Sequence, residues 1–185
     1  ADLASSACEV ELHKIATLGK SWVSFLTGSG AVARATCVQV IDFASSMHNF
    51  ALHLWSLELD VLHRCVEGDE EGVDYAILAL QSLHSYTHST GHNNMNYGAT
   101  TTAIIAFAYS VRHDTSLGNK AFSMAMIACE RLISRKQGIP IGGVYLFLSL
   151  HVVMGEIERL SDEPWGVKHN QEQLISVVRN SIEAL

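Results

Sequence analysis

Proline and formal charge are both scarce in this sequence, and each scarcity narrows the choice of fold. Only 2 of the 185 residues are proline, and charged residues make up 17% of the chain. Alternating β-branched patterns are rare, whereas apolar residues recur at intervals of three and four, which is the period of an α-helix. The sequence therefore predicts an all-α protein. A chain of this length is also expected to form one domain, residues 1–185, with one core.

Basic clusters, paired cysteine motifs and membrane-spanning segments are also missing. The net charge of −7 argues against nucleic acid as a partner, because binding to phosphates requires basic side chains. The 4 cysteines, at positions 8, 37, 65 and 129, form neither a CxxC motif nor a dense disulfide framework, which favours a reducing, intracellular setting. No signal-peptide pattern opens the sequence. The most apolar stretch, residues 139–155, is shorter than the roughly 20 residues of a spanning helix.

The helical period predicts seven segments separated by glycine-rich or polar turns. They lie at about residues 5–27, 31–66, 73–88, 99–111, 117–136, 144–160 and 171–185. The second segment is long for a globular helix, so we expect it to break near Ser45 and Ser46. Residues 68–72, which read GDEEG, are expected to form the acidic turn that follows it.

The middle of the sequence has no formal charge. Residues 75–111 contain no Asp, Glu, Lys or Arg, and residues 99–111 read ATTTAIIAFAYSV. A helix without a polar face is predicted to be covered by neighbours on all sides. We therefore expect a buried central helix here, with the amphipathic segment 117–136 packed against it.

Three short motifs occur in order around this helix. Asn96-Tyr97-Gly98-Ala99 precedes the apolar run, residues 142–147 read GGVYLF, and residues 51–60 read ALHLWSLELD. They resemble, respectively, the Asn-Trp-Gly-Arg motif, the Gly-Gly-Trp motif and, more loosely, the Leu-x-x-x-Gly-Asp-Glu motif of the B-cell lymphoma two (Bcl) family of apoptosis regulators. The first also resembles the form of that motif in gammaherpesvirus homologues.

This resemblance implies a Bcl-type bundle of about seven to eight helices around a buried central helix. It implies a non-enzymatic regulator, more often anti-apoptotic, that binds amphipathic helices of pro-apoptotic Bcl-family partners in a hydrophobic groove. It further implies a cytoplasmic viral or divergent homologue, with peripheral or tail-mediated association with the mitochondrial outer membrane of a host cell. A homodimer is compatible with it, and neither a cofactor nor a metal ion is expected.

The resemblance also implies candidate site residues. Tyr97, Gly98 and Ala99 are assigned to the groove by a motif, and helical spacing adds Leu59, Leu62, His63, Tyr86 and Thr102. The remaining motif positions are Leu52, Ser56, Glu58, Asn96, Gly142 and Gly143. Asn96 is a favourable N-cap residue, and Gly98 has no Cβ to prevent close approach of a ligand helix.

One departure from the family pattern limits the predicted binding mode. Ala99 replaces the arginine that pairs with an aspartate of the incoming helix in the family, a charge-assisted contact of roughly 1.5 to 3 kcal/mol. Ser56 likewise replaces the glycine of the third motif. Affinity is therefore expected to come mainly from apolar side chains, or from a cation elsewhere such as Arg64 or Arg112.

Two other interpretations remain open. An acidic helical-bundle immunity or adaptor protein would bind a basic protein partner through Asp69-Glu70-Glu71, although acidic turns are usually only solvated. The histidines at positions 84, 88 and 92 have the four-residue spacing of some metal sites. Gly91 interrupts that helix and zinc normally takes a fourth ligand, so a metal site is not favoured. No motif for catalysis occurs.

Overall fold

The computed structural model describes residues 2–28, 30–89, 95–112, 117–133, 142–161, 175, 176, 178–180 and 183. Within these residues the secondary structure is helical, with no strand. The helices are α1 (Asp2–Leu26), α2 (Gly30–Ser46), α3 (Phe50–Glu67), α4 (Glu70–Ser89), α5 (Met95–Ser110), α6 (Gly118–Ile133) and α7 (Gly142–Ser161). The described residues between 175 and 183 are helical as well. The prediction of an all-α protein is confirmed.

The predicted break in the second segment is present between α2 and α3. His48 has a φ of 53°, in the left-handed region that non-glycine residues rarely adopt. Asn49 follows it and caps α3, because its side chain accepts a hydrogen bond from the backbone N–H of Leu52 at 3.1 Å. At the other end of α3, Gly68 has a φ of 71°, which glycine adopts without strain. Both ends of α3 are therefore determined by local chemistry.

The chain divides into two compact units, an N-terminal unit (Ala1–Asn93) and a C-terminal unit (Asn94–Leu185). In the N-terminal unit α2 packs against α1 and α3, and α4 packs against α3. The centre of its core consists of Leu18, Cys37, Val40, Ala44, Leu52 and Leu59, surrounded by Trp22, Phe25, Ile41, Phe43 and Trp55. The expectation of a single domain stays a prediction.

In the C-terminal unit, α5, α6 and α7 pack against one another. Small side chains make this close packing feasible, since Ala103, Ala106, Ala125 and Ala128 are all 0% exposed. From residue 98 to residue 109 every position of α5 is buried or half-buried, and Ser110 is the first exposed one. The burial predicted from the absence of charge is confirmed.

The start of α5 and the hydropathy of the helices bear on two further expectations. Helix α5 begins at Met95, so Asn96 lies inside the first turn and is not the residue that precedes and caps the helix. Among the described helices, none has both the length and the hydropathy needed to cross a bilayer.

Candidate functional site

Four predicted groove residues belong to the N-terminal unit, and only one of them is exposed. Leu59 and Leu62 on α3 are 0% exposed and His63 is 1% exposed. These three side chains contribute to the packed interior and do not line an open groove, so their assignment by helical spacing selected a buried face. Tyr86 on α4 is 52% exposed, and its ring centroid lies 5.4 Å from that of Phe50.

The other described groove residues form the first turns of α5 in the C-terminal unit. Gly98 and Thr102 are half-buried, and the hydroxyl of Thr102 donates to the carbonyl of Gly98 at 2.5 Å. Ala99 is 0% exposed. An arginine at this position would have to enter the interior, which gives a structural reason for the alanine found there. The side chains of Asn96 and Tyr97 lie outside the described residues.

The third motif lies in the interior of the N-terminal unit. Leu52 is 2% exposed, and Ser56 and Glu58 are 0% exposed. The carbonyl of Ser56 accepts a hydrogen bond from the thiol of Cys37 at 3.0 Å, which joins α3 to α2. Burial raises the pKa of the Cys37 thiol, and the nearby carboxylate of Asp60 raises it further. This cysteine is therefore a protonated packing group and not a nucleophile.

The second motif begins α7. Gly142 is the first residue of that helix and Gly143 the second. Of the aromatic residues that follow, Tyr145 is 1% exposed and Phe147 is 64% exposed. The double glycine therefore introduces a helix with one buried and one exposed aromatic ring.

A group of charged residues in contact lies where α3 turns into α4, and we call it the ionic cluster (Arg34, Asp60, Arg64, Glu67 and Asp69). Arg64 Nε donates to Asp60 Oδ2 at 2.8 Å, and Arg64 Nη1 donates to Asp69 Oδ2 at 2.9 Å. From α2, Arg34 donates to Glu67 and, at 3.4 Å, to Asp69. The cluster therefore ties α2 to α3 and to the turn before α4.

Burial is uneven within the ionic cluster. The side chain of Asp60 is 6% exposed, and its Oδ1 atom accepts no hydrogen bond from the described residues. Arg34 Nε lies 3.9 Å from this oxygen. Burial alone lowers the pKa of Arg64, but hydrogen bonds and charges from Asp60 and Asp69 outweigh it, so that the pKa is raised. Arg64 therefore stays charged beside Asp60.

Asp69 has a structural role in addition to its ion pairs. Its Oδ1 atom accepts the backbone N–H of Gly72 at 3.0 Å, which satisfies a free donor in the first turn of α4. That hydrogen bond, together with Arg64 and Arg34, lowers the pKa of Asp69. One of the three carboxylates in the predicted acidic turn is thus engaged within the chain, whereas Glu70 and Glu71 are exposed.

A buried histidine joins three helices close to the ionic cluster. Ser21 on α1 donates its single hydroxyl proton to the carbonyl of Ala33 on α2, at 2.8 Å. The 3.4 Å contact between Ser21 Oγ and His63 Nε2 therefore requires the proton to be on Nε2. Phe25 packs edge-on against the imidazole, with ring centroids 5.4 Å apart. Burial lowers the pKa of His63, although Glu67 and Asp60 act in the opposite direction.

Neither metal binding nor catalysis gains support from this arrangement. The acids of the ionic cluster contact arginines, and the part of the chain that the structure describes contains no group of three His, Cys, Asp or Glu residues suited to a metal ion. Of the histidine series, His84 is half-buried, and the side chains of His88 and His92 lie outside the described residues. Ser21 and His63 are each 1% exposed, so a substrate has no access to them.

The ionic cluster was missed by the sequence analysis, although part of it had a signal. Asp60 and Arg64 are four residues apart, the spacing at which opposite charges pair on a helix. Arg34 joins them from another helix, and no local pattern indicates that contact. The ionic cluster and the buried His63 both connect helices of the N-terminal unit, so the role that the structure shows for these polar groups is structural.

No protein-family model, curated protein or solved structure matches this chain.

Proposed function

We propose that this chain is a non-enzymatic, Bcl-like regulator of apoptosis that binds amphipathic helices of pro-apoptotic partners and thereby opposes cell death. The observation that carries the proposal is the ordered series of three motifs around an uncharged helix. The burial of α5 and its packing against the amphipathic α6 support it. The proposal includes a cytoplasmic location, with access to the mitochondrial outer membrane, and allows a homodimer.

The burial of the predicted groove residues constrains how such binding would occur. Leu59, Leu62 and His63 are in the interior, so a partner helix would reach them only after α3 and its neighbours separate. Any contact made without such a rearrangement has to use exposed or half-buried side chains, such as Tyr86 and Thr102. We therefore expect micromolar affinity, because the energy of opening reduces the observed binding free energy.

Isothermal titration calorimetry with a panel of pro-apoptotic helical peptides tests this function. Each peptide is paired with a control in which its central apolar anchor is replaced by glutamate. The proposal predicts binding by at least one peptide with a Kd of about 1 to 10 μM, a binding free energy of about −7 to −8 kcal/mol, and no binding by its control. Absence of binding at tens of micromolar across the whole panel would contradict it.

The variant Ala99→Arg restores the family motif but is not expected to restore the family's ion pair. Because Ala99 is 0% exposed, the substitution places a guanidinium in a packed interior and should lower the free energy of unfolding by several kcal/mol, roughly 3 or more. Urea unfolding measures this loss. A folded variant with tighter peptide binding would show instead that the first turn of α5 opens towards a ligand.

A further inference from the structure

The outer face of α4 carries large apolar side chains that the other described helices of the N-terminal unit leave mostly exposed, although the ring of Tyr86 also contacts Phe50 of α3. Tyr75 is 73% exposed, Leu78 is 63% exposed and Tyr86 is 52% exposed. At 100° per residue these three positions fall within an arc of about 80°, with exposed Ser82 between them. The opposite face of α4 is occupied, since Val73, Ala76, Ile77 and Leu80 are buried where the helix packs on α3. We call the exposed series Tyr75, Leu78, Ser82 and Tyr86 the α4 stripe.

The α4 stripe is uncharged along its length and acidic at one end. Glu71 lies on the same side of the helix one turn before Tyr75, and Glu70 precedes it. Neither glutamate forms an ion pair with the described residues, because Arg34 and Arg64 are bound to Asp60, Glu67 and Asp69. Helix α4 itself contains no lysine or arginine. The two glutamates are therefore free to attract an outside cation.

We propose that the α4 stripe is a docking surface for an amphipathic helix of a partner protein, with apolar residues on one face and lysine or arginine at its C-terminal end. The 11 steps from Tyr75 to Tyr86 rise about 16 Å, which is three turns and matches three turns of a facing helix. The small side chain of Ser82 lets the two helices approach closely in the middle. Basic residues are favourable at a helix C-terminus, so the partner helix runs antiparallel to α4 and places them against Glu70 and Glu71.

Charge excludes a second copy of this chain as the preferred occupant. In an antiparallel pair of α4 helices, Glu70 and Glu71 of one copy would face the end of the stripe near Tyr86 of the other. That end of α4 offers no lysine or arginine, so both copies would keep their acidic ends unneutralised. A basic partner removes this cost, and the net charge of −7 favours its approach. The inference does not depend on the Bcl-like function.

Binding of a defined peptide to the full chain tests the docking surface. The probe is a synthetic 16-residue helix with leucine at positions i, i+4, i+7 and i+11 and three basic residues at its C-terminal end. The control peptide has glutamate in place of the basic residues. We expect the basic peptide to shift the backbone NMR signals of α4 at Tyr75, Leu78 and Tyr86, and to bind at least about tenfold more tightly than the acidic control, a difference of about 1.4 kcal/mol.

Matched variants locate the site on α4. Leu78→Ser should weaken binding by about tenfold, whereas Leu26→Ser, at a 64% exposed leucine of α1, should change it less than about twofold. Glu71→Lys should weaken binding by about fivefold and make it less dependent on salt, whereas Glu9→Lys on α1 should not. Circular dichroism checks that each variant is folded. We expect all of them to fold, because the substituted side chains are exposed.

Three outcomes would overturn the inference. They are equal affinities for the basic and acidic peptides, an equal loss in Leu78→Ser and Leu26→Ser, and a concentration-dependent dimer in sedimentation experiments that Leu78→Ser abolishes. The last would assign the α4 stripe to a second copy. Failure of the pro-apoptotic panel leaves these measurements unaffected, so the two proposals can fail separately.

Discussion

Helices α3 and α5 are both buried along most of their length, but they are buried with opposite chemistry. On α3 the residues from 56 to 63 are all buried, and they include Glu58, Asp60 and His63. On α5 the buried residues are alanine, isoleucine, threonine and tyrosine, with no formal charge. Asp60 is tolerated because Arg34 and Arg64 reach it from neighbouring positions. The difference shows that an uncharged helix predicts burial, but a buried helix need not be uncharged.

The largest effect is expected when α5 is given a charge of the kind that α3 carries. Ala103→Asp places a carboxylate at a position that is 0% exposed, on a helix that itself contains no charged residue. We expect the free energy of unfolding to fall by more than about 4 kcal/mol, or cooperative folding to be lost. Urea unfolding measures the change. Ser110→Asp, at the exposed end of α5, is the control and should cost less than about 0.5 kcal/mol.

A cost of less than 1 kcal/mol for Ala103→Asp would mean that α5 accepts charge as readily as α3 does. The contrast between the two helices would then reflect composition alone and not the presence of a countercharge.

Removal of a cation from the ionic cluster should make the buried carboxylate of Asp60 on α3 destabilising. Arg64→Met keeps most of the aliphatic volume but removes the hydrogen bond to Asp60, whose side chain is 6% exposed. The loss should be about 2 to 3 kcal/mol, below the range for a fully buried pair because Arg64 remains partly solvated. The exposed Arg131→Met on α6 is the control, with an expected loss below about 1 kcal/mol.

The double variant Arg64→Met with Asp60→Asn separates a lost ion pair from a lost side chain. It should recover part of the stability, because no unpaired carboxylate is left in the interior. If the double variant is as unstable as the sum of both single variants, the ionic cluster is not the reason that α3 tolerates Asp60.

Acidification should destabilise the region around α3, because two of its histidines are held neutral. Burial lowers the pKa of His63 and of His53 from 6.5 in the folded state. The unfolded chain therefore binds these protons first, and stability is complete above about pH 6.5 and declines as the pH falls below it. Each histidine contributes a slope of at most about 1.4 kcal/mol per pH unit. Unfolding measured between pH 7.5 and 5.5 checks this decline.

His63→Gln retains an N–H donor for Ser21. Below pH 6.5 it should reduce the slope of the free energy of unfolding against pH. The same substitution at the exposed His13 on α1 is the control and should leave the slope unchanged. A slope that survives His63→Gln in full would mean that the junction of α1, α2 and α3 does not respond to pH through His63.

The contrast between α3 and α5 also explains what could be predicted from the sequence. The break near Ser45 and Ser46 and the burial of α5 followed from local composition, and both are confirmed. Leu59, Leu62 and His63, which helical spacing assigns to the groove, are buried, because periodicity shows which residues share a face but not whether a second helix covers it. Their role in binding a partner stays a prediction. The ionic cluster needs Arg34, a residue 26 positions before Asp60, so only the tertiary packing brings it into contact.

The smallest effect distinguishes a glycine that the ionic cluster requires from glycines that it does not. A Cβ atom at Gly72 would clash with the guanidinium of Arg64 and the carboxylate of Asp69, whereas at Gly19 and Gly155 it would meet nothing within 4 Å. Alanine favours a helix over glycine by about 1 kcal/mol, so Gly19→Ala and Gly155→Ala should raise stability by up to that amount. Gly72→Ala should show no such gain and should instead lower the free energy of unfolding by about 0.5 to 1 kcal/mol, because the ion pair has to shift. Thermal unfolding of the three variants compares their stabilities.

The same substitution in an Arg64→Met background tests whether the ionic cluster causes the penalty. The loss of stability in Gly72→Ala should then be smaller, because one of the two clashing groups is gone. An equally large loss would place its origin outside the ionic cluster.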